Sequence, residues 1–396
     1  MDNFEYIVLR HENPFVPESA SVGSELLGAG PRAPGSSGNP GSLELEKMAL
    51  SKKDKDDLRR DPRTRAIAVP MPLRLHEPVE ANLTVSATTT TWGVDAVGAV
   101  NSSFDGSNIV VCVLDTGIDP GHAAFNGVDI VQKNFTTEGD NDNHGHGTHC
   151  AGTIFGQDVD GLRIGVARNI KKALIGKVLG EGGGSSATLA SAINWAAEQG
   201  AHVVSMSLGI DFPGFVQQLQ GSGMDIRPAT SIALEQYRAN INLFTQLADF
   251  LLARNAFAQG TVVVAASGNE SNRPAFEIAA APPSAGTGII SVGALSEGNA
   301  GFGVAGFSNT QCNVSAPGVN IVSAKLGGGL VGMSGTSMAT PHVAGVATLW
   351  AQKQFSENGQ VSGENLAANI LASAIRTPLA AGLEMDDVGN GIVQAP

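Results

Sequence analysis

Three short segments of the chain carry reactive side chains: Val111-Cys-Val-Leu-Asp-Thr-Gly-Ile118, His146-Gly-Thr-His-Cys-Ala-Gly152 and Gly335-Thr-Ser-Met-Ala-Thr-Pro-His342. A carboxylate, an imidazole and a hydroxyl that converge are what acyl transfer through a covalent intermediate needs. The hydroxyl attacks a carbonyl, the imidazole takes its proton, and the carboxylate orients the imidazole and stabilises its charged form. Asp115 and Ser337 fill two of these roles. His144, His146 and His149 lie so close together that spacing alone leaves open which of them is the base.

The elements that must position these groups can be read from the flanking residues. Asp115 ends an apolar, β-branched run that begins at Asn108, and Gly117 follows soon after, so a buried strand should deliver the carboxylate to the carboxyl edge of a sheet. His146 opens a Gly/Ala-rich stretch that predicts a helix. Ser337 stands two residues after Gly335 and just before Pro341, which is expected in the first turn of a helix, so the hydroxyl is presented at a helix start. Further strands are expected over 173–179, 203–208 and 261–266, with helices over 185–199 and ending near Gln259. Alternation of this kind predicts an α/β fold with right-handed crossovers and a mostly parallel sheet covered by helices on both faces.

Taken together, these segments resemble the subtilisin-like serine proteases, or subtilases, over roughly residues 88–396. Lys177-Val-Leu-Gly180, Val203-Val-Ser-Met-Ser-Leu-Gly209, Val262-Val-Val-Ala-Ala-Ser-Gly-Asn-Glu270 and Ser315-Ala-Pro-Gly318 also resemble family segments and fall in family order. The resemblance implies a serine endopeptidase that acts on extended polypeptides through an acyl-enzyme, with Asp115, His146 and Ser337 as its triad. It selects His146 as the base and leaves His144, His149 and His342 as loop or structural residues. Asn269 resembles the side-chain donor of the oxyanion hole, paired with the Ser337 backbone N–H.

Gly182, Gly183 and Gly184, and Ser207, Leu208 and Gly209, match the two segments that in the family run antiparallel and parallel to the bound peptide. Ala266, Gly268 and Ala280 would line the primary specificity pocket, with Glu270 at its rim able to welcome a basic side chain. No cofactor is required for the chemistry, and calcium is the metal the family uses structurally. Asp158 and Asp160 are the candidate ligands, read against a solvated Asp-x-Asp-Gly turn. Cys150, close behind His146, resembles the thiol of the proteinase K branch and implies sensitivity to mercurials, unless it is a buried inert thiol.

The formal net charge is −13, and residues 91–396 hold 24 acidic against 13 basic side chains. That balance argues against nucleic acid or an anionic membrane as partner and leaves polypeptide as the substrate. No run of 18 apolar residues is present, so no membrane partner is expected. The amino terminus lacks a basic leader with a long apolar core, so the chain as written reads as cytoplasmic, and as secreted if a signal has been trimmed. Cys112, Cys150 and Cys312 are an odd number in apolar or motif-bearing segments, which fits buried thiols.

Residues 1–80 read as a strand, strand, helix and strand unit with Ser51 as the helix N-cap and a Gly/Pro/Ser-rich disordered loop over 28–42. It resembles a subtilase propeptide, which implies a folding chaperone and inhibitor removed by self-cleavage; an accessory domain without that role is the other reading. Residues 81–91 form a linker, and 92–396 the catalytic domain. Within it, 210–258 is longer than in minimal subtilisins: 211–225 is punctuated by Gly and Pro, and a helix over 228–257 carries an apolar stripe of Ile232, Leu234, Ile241, Phe244, Leu247 and Leu251. This insert either packs on its own sheet or rims the cleft. Two other activities remain open, a peptide ligase or macrocyclase on the same scaffold and a peptide-binding module blocked by its own amino-terminal domain.

Overall fold

The computed structural model describes residues 5–11, 43–81, 89–254 and 258–396. The amino-terminal unit contains β1 (Glu5–His11), β2 (Leu43–Ala49), α1 (Lys52–Arg60) and β3 (Thr64–Ala68), followed by an extended tail with β4 (Pro72–Leu75) and β5 (Val79–Ala81). The large domain runs through α2 (Trp92–Ala96), β6 (Val110–Asp115), β7 (Ile130–Asn134), α3 (His146–Phe155), β8 (Lys172–Lys177), β9 (Gly184–Ser185), α4 (Ser186–Glu198), β10 (Val203–Met206) and β11 (Leu208–Ile210). It continues with α5 (Phe212–Gly221), α6 (Ile226–Ala253), β12 (Val262–Ala266), β13 (Ile289–Ser296), β14 (Gly303–Val304), β15 (Val314–Pro317), β16 (Ile321–Ala324) and β17 (Leu330–Ser334). It closes with α7 (Thr336–Asn358), α8 (Gly363–Ser373) and α9 (Met385–Val388).

The central sheet has the order β14-β13-β12-β10-β6-β8-β7, with β15 also beside β13. Every pairing is parallel except that of the short edge strand β14. The pleat explains why these strands are apolar throughout. Val111 and Val113 of β6 face a core shared with α3 and α7, whereas Val110, Cys112 and Leu114 face a second core shared with α4 and α6. Two helical layers therefore cover the sheet, and the α/β class expected from the alternation is the one observed.

The amino-terminal strands pair antiparallel in the order β2-β1-β3. Ser51 caps α1 in a reciprocal box with Asp54. In β1, Tyr6 through Leu9 are all buried, because this central strand joins the same apolar cluster as α4 and α6. The loop expected over 28–42 lies outside the described residues.

Three expectations need correcting. The linker over 81–91 begins too early, since Ala81 is the last residue of β5 and pairs with Gly332 of β17, while Thr90 bridges to Arg163. The Gly/Pro-punctuated stretch after Ile210 is the helix α5, because Asp211 caps the N–H of Gly214 and Pro213 stands in the first turn, where a missing N–H costs nothing. In α6 the stripe is out of phase at one end: Leu234 is exposed, and the buried face is Ala229, Ala233, Asn240, Leu243, Phe244, Leu247, Ala248 and Leu251. Small alanines at the helix start let it approach a neighbour closely. That neighbour is β3 of the amino-terminal unit as well as the helix's own sheet.

Candidate active site

Asp115 is the last residue of β6, and its Oδ1 lies 2.8 Å from His146 Nδ1. Both side chains are buried, at 1 % and 0 % exposure. Burial works against an imidazolium here, but the Asp115 carboxylate outweighs it, so the His146 pKa is raised well above the ordinary histidine value. The opposite ring nitrogen, Nε2, is buried with no hydrogen-bond partner. Ser337 stands in the first turn of α7, its Oγ 3.3 Å from the carbonyl oxygen of His76 and 3.4 Å from that of Ser207.

His146 is held by residues that the motifs did not point to. Gly145 opens α3 in the left-handed region, φ +94°, and has no side chain with which to cap the helix. Asp142 does the capping from three residues upstream. Its Oδ1 accepts from the N–H groups of His144 and Gly145, and its Oδ2 from the N–H and hydroxyl of Thr148. Burial alone would push this carboxyl up, yet the hydrogen bonds from Thr148, Gly145 and His144 keep its pKa below the usual value. Thr116 links Asp142 to the Asp115 side: its hydroxyl donates to Asp142 and accepts from Gly147 N–H, while its own N–H donates to Asp115 Oδ1. An Asp four residues before a histidine that starts a helix was the available signal.

Pro341 also acts differently from the expectation. It is the sixth residue of α7, past the first turn, so it frees the carbonyl four residues back, which belongs to Ser337. The hydroxyl of Ser207 takes up that oxygen at 3.2 Å, and Cys150 Sγ lies 3.4 Å from it. Cys150 is fully buried and 3.8 Å from His146 Nδ1; burial raises its pKa more than the nearby imidazole lowers it, so it is a thiol. The other histidines make separate contacts. His149 Nε2 bonds Ile321 O, His342 Nδ1 bonds Met338 O, and the half-exposed His144 stacks edge-on at 6.3 Å from His146.

The amino-terminal tail lies across these groups. β4 is the middle strand of a small sheet, paired with β11 on one side and β9 on the other. Leu208 and Gly209 face Leu75 and Arg74, while Gly184 and Ser185 face Leu73 and Pro72. Both pairings are antiparallel: that of Gly184 and Ser185 runs as expected for 182–184, whereas that of Leu208 and Gly209 does not run parallel as expected for 207–209. A Cβ on Gly183 would come within 2.6 Å of Leu73 O, whereas a Cβ on Gly182 would meet nothing within 4 Å.

Just past β4, the His76 carbonyl oxygen lies 3.3 Å from both Ser337 Oγ and Asn269 Nδ2, which also reaches Glu77 O at 3.2 Å. Asn269 is held in this orientation because its Oδ1 accepts from the N–H and the hydroxyl of Thr336. The His76 side chain meets Gly209 and Glu270, and Glu270 also contacts Gly268. Ala266 and Ala280 are buried nearby in sequence, the first at the end of β12 and the second bonded to Thr310 O. A cleft of about 390 Å³ beside the tail is lined by Arg74, Leu75, Glu77, Glu138, His144 and Lys177, among others.

Asp158 and Asp160 do not fit a calcium loop. Asp158 is paired with Arg168 at 2.8 Å, and Asp160 sits at φ +51° in the tight Val159–Leu162 turn. The Arg168 guanidinium competes with a cation for the Asp158 carboxylate. Among the described residues, the only His/Cys/Asp/Glu cluster of three is Asp115, His146 and Cys150.

A strand-end Asp bonded to a helix-start His, beside a helix-start Ser, agrees with the family comparison, in which the subtilase family profile matches residues 106–392. The chain belongs to the subtilase family. It is 33% identical over 324 residues to an alkaline protease of Alkalihalobacillus alcalophilus, covering 80% of this chain and 71% of that protein. It is 35% identical over 274 residues to subtilisin Savinase of Lederbergia lenta, covering 67% of this chain and 85% of that one. Fervidolysin of Fervidobacterium pennivorans, a keratinolytic enzyme related to subtilisin, shares the fold with a TM-score of 0.62 and 23% identity, over 88% of this chain and 55% of that chain. The protein is thus a subtilisin-type serine endopeptidase, and its substrates are polypeptides. No helix among the described residues is long and apolar enough to cross a membrane. Nothing in these comparisons supports the cytoplasmic expectation.

Proposed function

We propose that this subtilase cleaves peptide bonds with Ser337 as nucleophile, His146 as general base and acid, and Asp115 as the group that orients the imidazole, and that it first cleaves itself between His76 and Glu77. The carrying observation is that the His76 carbonyl oxygen lies equidistant from Ser337 Oγ and Asn269 Nδ2. For the reaction, Ser337 Oγ swings from its contacts with carbonyl oxygens to the unpartnered His146 Nε2 and gives up its proton there. Oγ bonds to the carbonyl carbon, the oxygen takes negative charge, and Asn269 together with the Ser337 backbone N–H stabilises it. His146 then returns the proton to the leaving Glu77 amine, and water releases the acyl-enzyme by the same steps in reverse order.

On this reading residues 1–76 are a propeptide whose end is bound as a substrate strand. Strand pairing on both sides explains how an extended peptide is held with little demand on its side chains. Intact masses of wild type and Ser337→Ala test the assignment together. The wild type should lose residues 1–76 and start at Glu77, while the variant stays whole. Full-length protein in both, or equal cleavage in both, would remove Ser337 as the cause of maturation.

A further inference from the structure

The inference here rests on the reading that His76 precedes the cleaved bond. We infer that Glu270, braced by Asn309, makes the primary pocket select histidine on the amino side of the scissile bond, in other polypeptides as well as in the chain's own tail. His76 is only 3 % exposed although the tail lies in an open cleft, and its Nδ1 stands 3.3 Å from Glu270 Oε1. Either the imidazolium or the neutral tautomer with its proton on Nδ1 donates to that oxygen, so the contact does not depend on full protonation. Gly209 forms a flat wall against the ring: a Cβ there would lie 2.6 Å from His76 Cε1 and 2.7 Å from Nε2.

The carboxylate is fixed rather than mobile. Glu270 Oε2 accepts from Asn309 Nδ2 at 2.7 Å, and the Glu270 N–H donates to Asn309 Oδ1 at 3.1 Å. Asn309 is itself 1 % exposed and tied to Ser267 and Ser271, so it cannot turn away. Burial would raise the Glu270 pKa, but His76, Asn309 and Arg74 hold it at about 2, so the group is an anion in working conditions. An aliphatic or phenyl side chain in this place would cover Oε1 without offering a donor, leaving that partly desolvated oxygen with only the long contact to Arg74. Histidine both fills the slot and supplies the missing donor. Arg74, two residues upstream, reaches the same Oε1 at 3.4 Å and Asp211 Oδ1 at 3.6 Å, which extends the acidic recognition along the strand.

The test uses matured wild-type enzyme and quenched peptides of the tail sequence Pro-Leu-Arg-Leu-X-Glu-Pro-Val, with X as His, Phe, Leu or Gln. The expected kcat/KM for His exceeds that for Phe or Leu roughly 10- to 100-fold, the range of one charge-assisted hydrogen bond. Glu270→Gln should shrink the His-to-Phe ratio by at least tenfold. In the full chain, His76→Phe should slow self-cleavage by a similar factor, which tests the pocket even where Glu270→Gln does not mature. Phe or Leu cleaved as fast as His by the wild type would overturn the selectivity and leave the active-site assignment standing. No cleavage of any peptide by wild type or Ser337→Ala alike would remove the active-site assignment, and the selectivity with it.

Discussion

The amino-terminal domain grips the catalytic domain in two places, and the two differ in kind. Its sheet presses side chains into the helices: Ile7, Val8, Leu9 and Ala66 share one apolar cluster with Ala190 of α4 and with Ala233 and Leu243 of α6. Its tail adds a backbone ladder, as the middle strand between β9 and β11, while Met71, Leu73 and Leu75 join the same apolar cluster and the His76 side chain is enclosed beside Glu270. Burial of apolar atoms holds the domain without exact geometry, because the hydrophobic effect scales with area. The ladder fixes register, so that of the tail's carbonyls it is that of His76 that meets Ser337. Under the proposed self-cleavage, affinity and cleavage site would thus be written in different features of the same domain.

Variants that strike one region and spare the other sharpen this contrast. The largest effect is expected for Ser337→Ala: hydrolysis of a peptide substrate should fall about a millionfold, the scale known from a subtilisin, while thermal unfolding stays cooperative with the amino-terminal domain still attached. Next, Asp115→Asn should lower kcat about ten-thousandfold, the scale measured for the equivalent change in another serine protease. Its pH profile should move as well. The base works only when neutral, and Asp115 raises the His146 pKa, so wild-type activity falls as pH drops below that raised value; without the carboxylate, that acid limb shifts to lower pH. A limb that stays in place in a pH–rate series would separate Asp115 from His146.

Asn269→Ala should cost roughly a hundred- to a thousandfold in kcat with KM little changed, again by the subtilisin scale for one oxyanion donor. Equal losses in kcat and no gain in KM identify a contact made in the transition state. The smallest effect belongs to the other region. Asn240 Nδ2 donates to Val69 O from within α6, and Asn240→Ala leaves that carbonyl without its donor, worth about 1–2 kcal/mol of docking. The lag between self-cleavage and the appearance of activity should shorten about tenfold, with kcat/KM of the freed enzyme unchanged. A longer lag would show that α6 does not help to hold the amino-terminal domain.

What the sequence disclosed and what it concealed follow from distance along the chain. The placing of Asp115 at a strand end and of His146 and Ser337 at helix starts was legible because each sits in a short segment with its own strand-end or helix-start signal. The parallel sheet was legible because apolar runs alternate with helical ones. The supports were not. Asp142 and Thr116 look like ordinary turn residues until the fold folds them under α3. Asn309 braces Glu270 across 39 positions, which no local pattern announces. Pro341 was placed one turn too early, and with it went the reason that Ser207 and Cys150 gather at the Ser337 carbonyl. In α6, helical period gave the right face for Phe244, Leu247 and Leu251 but not at the amino-terminal end, where alanines against β3 replace large side chains. The direction of β11 against the tail departs from the expectation, because pairing direction is not written in the strand residues themselves.

The strand β5 gives the tail a second anchorage, beyond the bond proposed to be cut: Val79, Glu80 and Ala81 pair with Ser334, Met333 and Gly332 of β17, the strand that runs into α7. Under the proposed self-cleavage, both new chain ends would therefore stay clamped as the bond breaks. The amino-terminal part would change from a piece of the molecule, which no dilution removes, into a separate solute whose departure follows the law of mass action. The cut by itself would release nothing; it would convert a fixed intramolecular concentration into one that the surroundings set.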